Sequence, residues 1–180
     1  MQRILIIRHG EKATPDGMVG GVDDFGRASE HELSVLGWQR AGALAVLFAG
    51  ADGSCPGLFE PRYLYAARPT ADAPSVRAVR TLQPLADVLG LQISLEFAKG
   101  EEGQLVASIL TLRECVLICW EHKAILDIAR LLMGSSAKVP REWPEDRYDI
   151  VWAFERDQGS WQFMQVPELL LAGDRSALIE

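Results

Sequence analysis

Residues 4–7 are an apolar run, Ile-Leu-Ile-Ile, in which polar and apolar side chains do not alternate. A strand that faces solvent on one side alternates, so this run predicts a central strand that is buried on both faces. Such strands occur in parallel sheets whose faces are covered by the helices that connect the strands. The run therefore points to an α/β fold, with its first strand over residues 3–8.

The rest of the chain shows helical and strand patterns in turn. Ser34 and Ser75 are predicted to cap the first two helices, and Gly90 and Gly134 to end the second and fourth. This alternation predicts a three-layer α/β/α sandwich with a mostly parallel central sheet. The predicted helices cover residues 34–48, 75–89, 102–112 and 122–133; the predicted strands cover 63–67, 91–97, 116–120, 149–154 and 161–166, the last two joined as an antiparallel hairpin.

Length and charge narrow the class of protein. The 180 residues suit a single domain over 1–180. A net charge of −7 argues against nucleic acid and anionic membranes as partners. The first apolar run is too short for a signal peptide or a membrane span. The three cysteines, Cys55, Cys115 and Cys119, form no CxxC pair and no even disulfide set, so we expect a reduced, cytoplasmic setting.

Three groups of polar residues follow predicted strands. The sequence Arg8-His9-Gly10 comes after the first strand, Arg77 lies at the start of the helix after the second, and Glu121-His122 follow the strand at 116–120. Ligands of open α/β sheets bind beyond the carboxyl ends of the strands. We therefore expect these groups to meet at one edge of the sheet.

Their chemistry is that of phosphoryl transfer. A neutral imidazole such as His9 can attack phosphorus, and an arginine such as Arg8 can hold two phosphoryl oxygens. Gly10 lets the backbone approach a ligand closely, and Arg77 lies where a helix N-terminus also favours an anion. Each residue alone has a plainer interpretation: a salt bridge for Arg8, a solvated side chain for Arg77, and a capping or core position for His122.

Four motifs together resemble the histidine phosphatase superfamily, which is also called phosphoglycerate mutase-like. They are Arg-His-Gly at 8–10, Leu-Ser-x-x-Gly-x-x-x-Ala at 33–41, Arg-Ala-x-x-Thr at 77–81 and the histidine after a buried strand at 116–122. The resemblance implies a phosphohistidine on His9, in a pocket formed by Arg8, Arg77 and His122. It also implies that no metal or other cofactor takes part.

The general acid is open between two glutamates. The resemblance to the mutase branch places a glutamate after the third strand, four residues before a glycine, and Glu96 with Gly100 has that spacing. The leucine that should lie two residues before it is adjacent instead, at Leu95. Glu121, next to His122, is the competing candidate, and we favour Glu96 slightly.

The resulting hypothesis is a phosphatase that acts on a small phosphomonoester or on protein-borne phosphate. A mutase that returns the phosphoryl group to its substrate is an alternative, as is an inactive module that binds phosphate or a partner. A chain of this length has little room for a cap over the site. The loop around residues 20–27 and the aromatic stretch at 143–152 are the two candidate lids, although core packing is the more common role of such aromatic residues. The sequence does not indicate an oligomeric state.

Overall fold

The computed structural model describes residues 1–14, 16–134, 139–157 and 159–180. One six-stranded sheet runs through it, in the spatial order β3-β2-β4-β1-β5-β6 once the strands are numbered along the chain. The strands are β1 (Gln2–Arg8), β2 (Tyr63–Ala66), β3 (Ile93–Ser94), β4 (Cys115–Trp120), β5 (Ile150–Arg156) and β6 (Trp161–Pro167); the helices are α1 (Val35–Phe48), α2 (Arg77–Leu89), α3 (Glu102–Ile109) and α4 (His122–Met133).

Strand β1 lies inside the sheet. It pairs in parallel with β4 and antiparallel with β5, while β2 pairs in parallel with both β3 and β4. The first four strands are therefore parallel, and the hairpin of β5 and β6 adds the antiparallel part. Ile4, Leu5, Ile6 and Ile7 are all 0% exposed, which confirms the prediction from the apolar run.

The two faces of the sheet bury separate apolar clusters. Ile4 and Ile6 face the cluster beneath α3 and α4, where Trp143 and Trp152 also pack. Leu5 and Ile7 face the cluster beneath α1 and α2. The chain is thus a three-layer α/β/α sandwich, as the sequence predicts.

Several element ends differ from the predicted ones. Ser34 caps α1, accepting the Gly37 N–H at 3.1 Å, and Gly90 ends α2 with a φ of 65°. Ser75 as the cap of α2 was wrong: Val76 occupies that position and has no side-chain cap bond. Strand β3 keeps two residues of the seven expected over 91–97, and α3 ends at Ile109 instead of residue 112. Of the predicted turn at 157–160, residue 158 lies outside the described residues.

Within the described part of the chain, every helix is too short or too polar to cross a membrane. Cys115 and Cys119 are buried inside β4, whereas Cys55 is exposed; all three are free thiols. Burial raises the pKa of both buried thiols above the ordinary cysteine value. Cys119 therefore packs as a core residue.

Candidate active site

The three predicted groups of polar residues lie together at one edge of the sheet. The parallel strands β1 and β4 end there side by side, and the His9 N–H donates to the Trp120 carbonyl at 3.3 Å. A cavity of about 190 Å³ opens at this edge. Its lining comes from five segments: His9, Ala67, Arg68, Ala73, Ser75, Arg77, Ala78, Lys99 and Glu121.

The His9 ring is held by its own turn. Nδ1 lies 2.8 Å from the Gly10 carbonyl oxygen, which can only accept a hydrogen bond. We therefore assign the proton to Nδ1, which leaves the lone pair of Nε2 free. Burial, followed by the positive charges of Arg8, Arg77 and His122, lowers the pKa of His9 to about 3 against the opposing Gly10 bond. A neutral imidazole with a free Nε2 is the form that a nucleophile needs.

Close backbone packing shapes the turn after His9. The Gly10 N–H donates to Thr81 Oγ1 at 2.8 Å, and that hydroxyl donates to the Arg77 carbonyl at 2.8 Å. A Cβ on Gly10 would lie 2.9 Å from the carbonyl oxygen of Gly37 in α1, so a side chain does not fit there. A Cβ on Gly37 would in turn meet the Glu11 carbonyl oxygen. The turn is thus bonded to α2 and pressed against α1.

Arg8 is 1% exposed, and the backbone of residues 144–147 fixes its position. Nη1 donates to the carbonyl oxygens of Pro144, Glu145 and Arg147 at 3.2, 2.7 and 3.0 Å. Nη2 donates to the Tyr148 hydroxyl at 3.1 Å, and the guanidinium carbon lies 3.8 Å from the centre of the Tyr148 ring. Burial lowers the pKa of Arg8 from its ordinary value. The edge that carries Nε remains for a ligand.

Several buried nitrogen atoms near His9 have no hydrogen-bond partner among the described residues. They are Nε of Arg8, Nε of Arg77 and both ring nitrogens of His122. Arg77 donates from Nη1 to the Glu30 carbonyl at 2.9 Å, and its Nε has no partner among the described residues. His122 Nδ1 lies 3.1 Å from a Glu121 oxygen but is not aligned for a hydrogen bond. Burial, followed by the charge of Arg8, lowers the pKa of His122, so its neutral ring supplies one donor nitrogen and the two arginines supply the positive charge. Buried donors are rarely left unpaired, so a cluster of three such side chains fits an anion.

Of the two glutamates, only Glu121 lies at this cavity. Its Oε2 is 3.2 Å from Lys99 Nζ. Burial alone would raise the pKa of Glu121, but Lys99 and His122 outweigh it and lower that pKa. Glu96 is exposed and is not part of the cavity lining, so the structure does not bring it to His9 as the sequence favoured. The reason is the short β3, which ends before Glu96 and leaves it outside the sheet.

Sequence reasoning missed four residues at the site. Thr81 belongs to a motif we recognised, but its bond to Gly10 depends on the packing of α2 against the turn. Arg68 and Lys99 line the cavity without any local motif.

Tyr148 was considered as part of a lid and instead supports Arg8, while Trp143 and Trp152 pack in the core. The other candidate lid carries Phe25, which is exposed.

Solved structures of known proteins share this fold, although no family model and no curated protein sequence matches the chain. The protein histidine phosphatase SixA, complexed with tungstate, has a TM-score of 0.59 at 19% identity, over 92% of this chain and 97% of that one. A mycobacterial glucosyl-3-phosphoglycerate phosphatase gives 0.57 at 11% identity, over 93% and 98%. Phosphoserine phosphatase from Entamoeba histolytica, in complex with 3-phosphoglyceric acid, gives 0.55 at 14% identity, over 91% and 95%. The chain therefore has the phosphoglycerate mutase-like fold of the histidine phosphatases.

Proposed function

We propose that this protein is a phosphatase that hydrolyses a phosphomonoester, small or protein-borne, through a covalent phosphohistidine on His9. One observation carries the proposal: the bond from His9 Nδ1 to the Gly10 carbonyl, which leaves Nε2 unprotonated beside unpaired cationic donors. The proteins of the same fold that are named as phosphatases support it further. A reduced, cytoplasmic setting remains part of the proposal.

The donors around His9 would bind the phosphoryl group. Arg8 Nε, Arg77 Nε and a ring nitrogen of His122 would donate to its non-bridging oxygens, since none of these atoms makes a hydrogen bond among the described residues. Charged hydrogen bonds of this kind are strong in a buried site. They also stabilise the negative charge on the phosphoryl oxygens during transfer.

The reaction then proceeds in two displacements. The His9 Nε2 lone pair attacks phosphorus, the ester P–O bond breaks, and Glu121 protonates the departing oxygen. A water molecule next attacks the phosphohistidine, the P–N bond breaks, and the Glu121 carboxylate takes the proton of that water. Inorganic phosphate and neutral His9 are left. Glu121 is proposed for both proton transfers because its carboxylate lines the same cavity as His9.

The surroundings admit substrates of two sizes. The cavity at His9 is about 190 Å³, enough for a phosphoryl group and a few further atoms. Beside it lies an open groove of about 760 Å³ that shares Arg68, Ala73 and Lys99 with it. A small phosphomonoester would fill the first, and a phosphorylated side chain on a protein would continue into the second.

Phosphate release from an aryl phosphate and a panel of phosphomonoesters, without a bisphosphate primer, tests the proposal. The wild-type protein is expected to release phosphate and His9→Ala is not. Phosphate release without the primer separates a hydrolase from a strict mutase. A rapid acid-free quench followed by mass spectrometry is expected to find the phosphoryl group on His9. Equal rates for the two proteins would remove His9 as the nucleophile.

A further inference from the structure

Two cations line the His9 cavity in addition to the side chains that are proposed to bind the phosphoryl group. Arg8, Arg77 and His122 supply the buried, unpaired donors that face one phosphoryl group. Arg68 and Lys99 line the same cavity and are outside that set. Both also line the adjoining groove, so they lie at the junction of the two spaces.

Backbone pairing brings together the two chain segments that carry these cations. Arg68 follows β2, and its N–H donates to the Phe97 carbonyl at 2.8 Å. It forms a parallel bridge with Ala98, the residue that precedes Lys99. The Ala98 N–H is fixed in turn by the Glu101 carboxylate at 2.7 Å. The positions of Arg68 and Lys99 at the cavity rim are therefore set by the main chain.

The carboxylates that these cations now contact are weakly bound partners. Arg68 Nη2 lies 3.3 Å from Glu101, and the two side chains are 43% and 40% exposed. Lys99 Nζ lies 3.2 Å from Glu121, with 51% and 25% exposure. The Arg68–Glu101 pair is exposed on both sides, and the Lys99–Glu121 pair is exposed on the lysine side. Ion pairs that water reaches contribute little to stability, so a ligand anion can replace these partners at small cost. Glu101 would keep its bond from the Ala98 N–H.

We propose that Arg68 and Lys99 form a second anion subsite, so that the preferred substrate is a phosphomonoester with another anionic group a few bonds from the ester. That group is a carboxylate or a second phosphoryl group, which present the same chemistry to a guanidinium and an ammonium. The inference rests on the proposed function only in taking the phosphoryl group to lie at His9. The remaining atoms of a larger substrate would lie in the groove.

Binding of non-hydrolysable phosphonates by calorimetry tests the subsite apart from turnover. Three ligands of matched length suffice: propylphosphonate, phosphonopropionate and propane bisphosphonate. At least one of the two doubly anionic ligands is expected to bind the wild-type protein about tenfold tighter than propylphosphonate, or better. The tighter of the two identifies the second group as carboxylate or phosphoryl.

Variants of Arg68 and Lys99 then test whether these two residues cause the preference for doubly anionic ligands. Arg68→Gln and Lys99→Gln are each expected to reduce the tenfold ratio toward about twofold. The ratio is the readout because it removes effects that are common to all three ligands, and the control variant measures what a general loss of one positive charge does to it. Arg62→Gln is the matched control, since Arg62 lies before β2, at the opposite end of that strand, and is expected to leave the ratio unchanged.

Each other outcome has a definite meaning. Equal binding of the three ligands to the wild-type protein overturns the subsite, as does a ratio that survives in both variants. Failure of all three to bind overturns both the subsite and the phosphoryl site at His9. Tighter binding of a doubly anionic ligand without any phosphate release supports the subsite and contradicts the phosphatase proposal. Phosphate release together with equal binding of the three ligands supports the phosphatase proposal and contradicts the subsite.

Discussion

The guanidinium carbon of Arg8 lies 3.8 Å from the centre of the Tyr148 ring, and Nη2 of Arg8 donates to the Tyr148 hydroxyl at 3.1 Å. One aromatic residue thus covers a face of the arginine and accepts from its edge. With Nη1 bound to three carbonyls, the guanidinium has little freedom to rotate. Contacts within the protein thus fix Arg8 in position, and its Nε stays unpaired.

Tyr148→Ala is expected to lower kcat/KM for phosphomonoesters by about tenfold or more, because it removes both the ring and the hydroxyl contact. Tyr148→Phe keeps the ring and is expected to lose only a few-fold. Steady-state kinetics and the affinity for vanadate measure both changes. Thermal unfolding of the two variants checks that the fold is intact. An alanine variant with wild-type kinetics would contradict the supporting role of Tyr148.

Glu121→Gln is expected to lower kcat for an alkyl phosphate by about a hundredfold, the usual contribution of a general acid or base. The loss for an aryl phosphate is expected to be smaller, since its leaving oxygen needs less protonation. Glu96→Gln is the matched control: it makes the same change at an exposed carboxyl outside the cavity and is expected to leave kcat unchanged. The opposite pattern would return the acid to Glu96.

The pH dependence of the Glu121 effect follows from its pKa, which is lower than that of an ordinary glutamate. Most of the carboxyl is ionised at neutral pH, and the protonated fraction grows as the pH falls. The ratio of wild-type to Glu121→Gln kcat/KM for an alkyl phosphate is therefore expected to rise from about pH 8 to about pH 5. The ratio removes the effect of substrate ionisation on kcat/KM, because both proteins act on the same substrate. A ratio that does not change with pH would exclude Glu121 as the acid.

A buried ion cluster beside the site makes stability depend on pH. Arg40 donates to Glu11, Glu168 and Asp174, so one cation contacts three carboxyl groups. Burial, the largest cause, raises the pKa of Glu168 to about 8, although Arg40 acts in the other direction. Folded Glu168 thus retains a proton that the unfolded chain releases at its ordinary, lower pKa. Its contribution is full at low pH and is lost as the pH rises toward 8.

Glu168→Gln removes this titration, so the variant is expected to gain stability relative to the wild type as the pH is raised from about 6 to about 9. The unfolding midpoints should move apart by several degrees, given about 2–4 °C for each kcal/mol in a domain of this size. Thermal unfolding of both proteins at the two pH values measures the difference. A difference that stays constant would mean that Glu168 is already ionised when folded.

The sequence predicted most of what depends on local pattern. The apolar run at 4–7 and the helical spacing from His122 to Met133 gave elements whose bounds the structure reproduces closely. The order of elements placed Arg8, His9, Arg77 and Glu121 at one sheet edge, where they lie. The order of the strands and helices along the chain indicates that the strands are parallel, and the carboxyl ends of parallel strands lie at the same edge of the sheet.

What could not be predicted depends on contacts between distant segments. The length of β3 is set by its pairing with β2, which ends after two residues and leaves Glu96 exposed. The support of Arg8 comes from carbonyl groups 136–139 residues away, and carbonyls carry no sequence signal. Lys99 joins Glu121 only because its segment pairs beside Arg68. Each of these three features arises only when folding brings distant segments of the chain together.

Gly10 and Gly37 interlock the turn after His9 with α1, each main chain filling the space where the other would carry a Cβ. The turn that carries His9 is therefore located by this main-chain packing and by the Thr81 hydroxyl, whereas the side chains of Arg68 and Lys99 at the rim contact Glu101 and Glu121 instead. The proposed roles of His9 in the reaction and of Arg68 and Lys99 in selectivity thus depend on different parts of the fold. In the proposed phosphatase, substitution of Arg68 or Lys99 is therefore expected to change the preferred phosphoester, whereas a side chain at Gly10 or Gly37 is expected to displace His9 and lower the rate for every substrate.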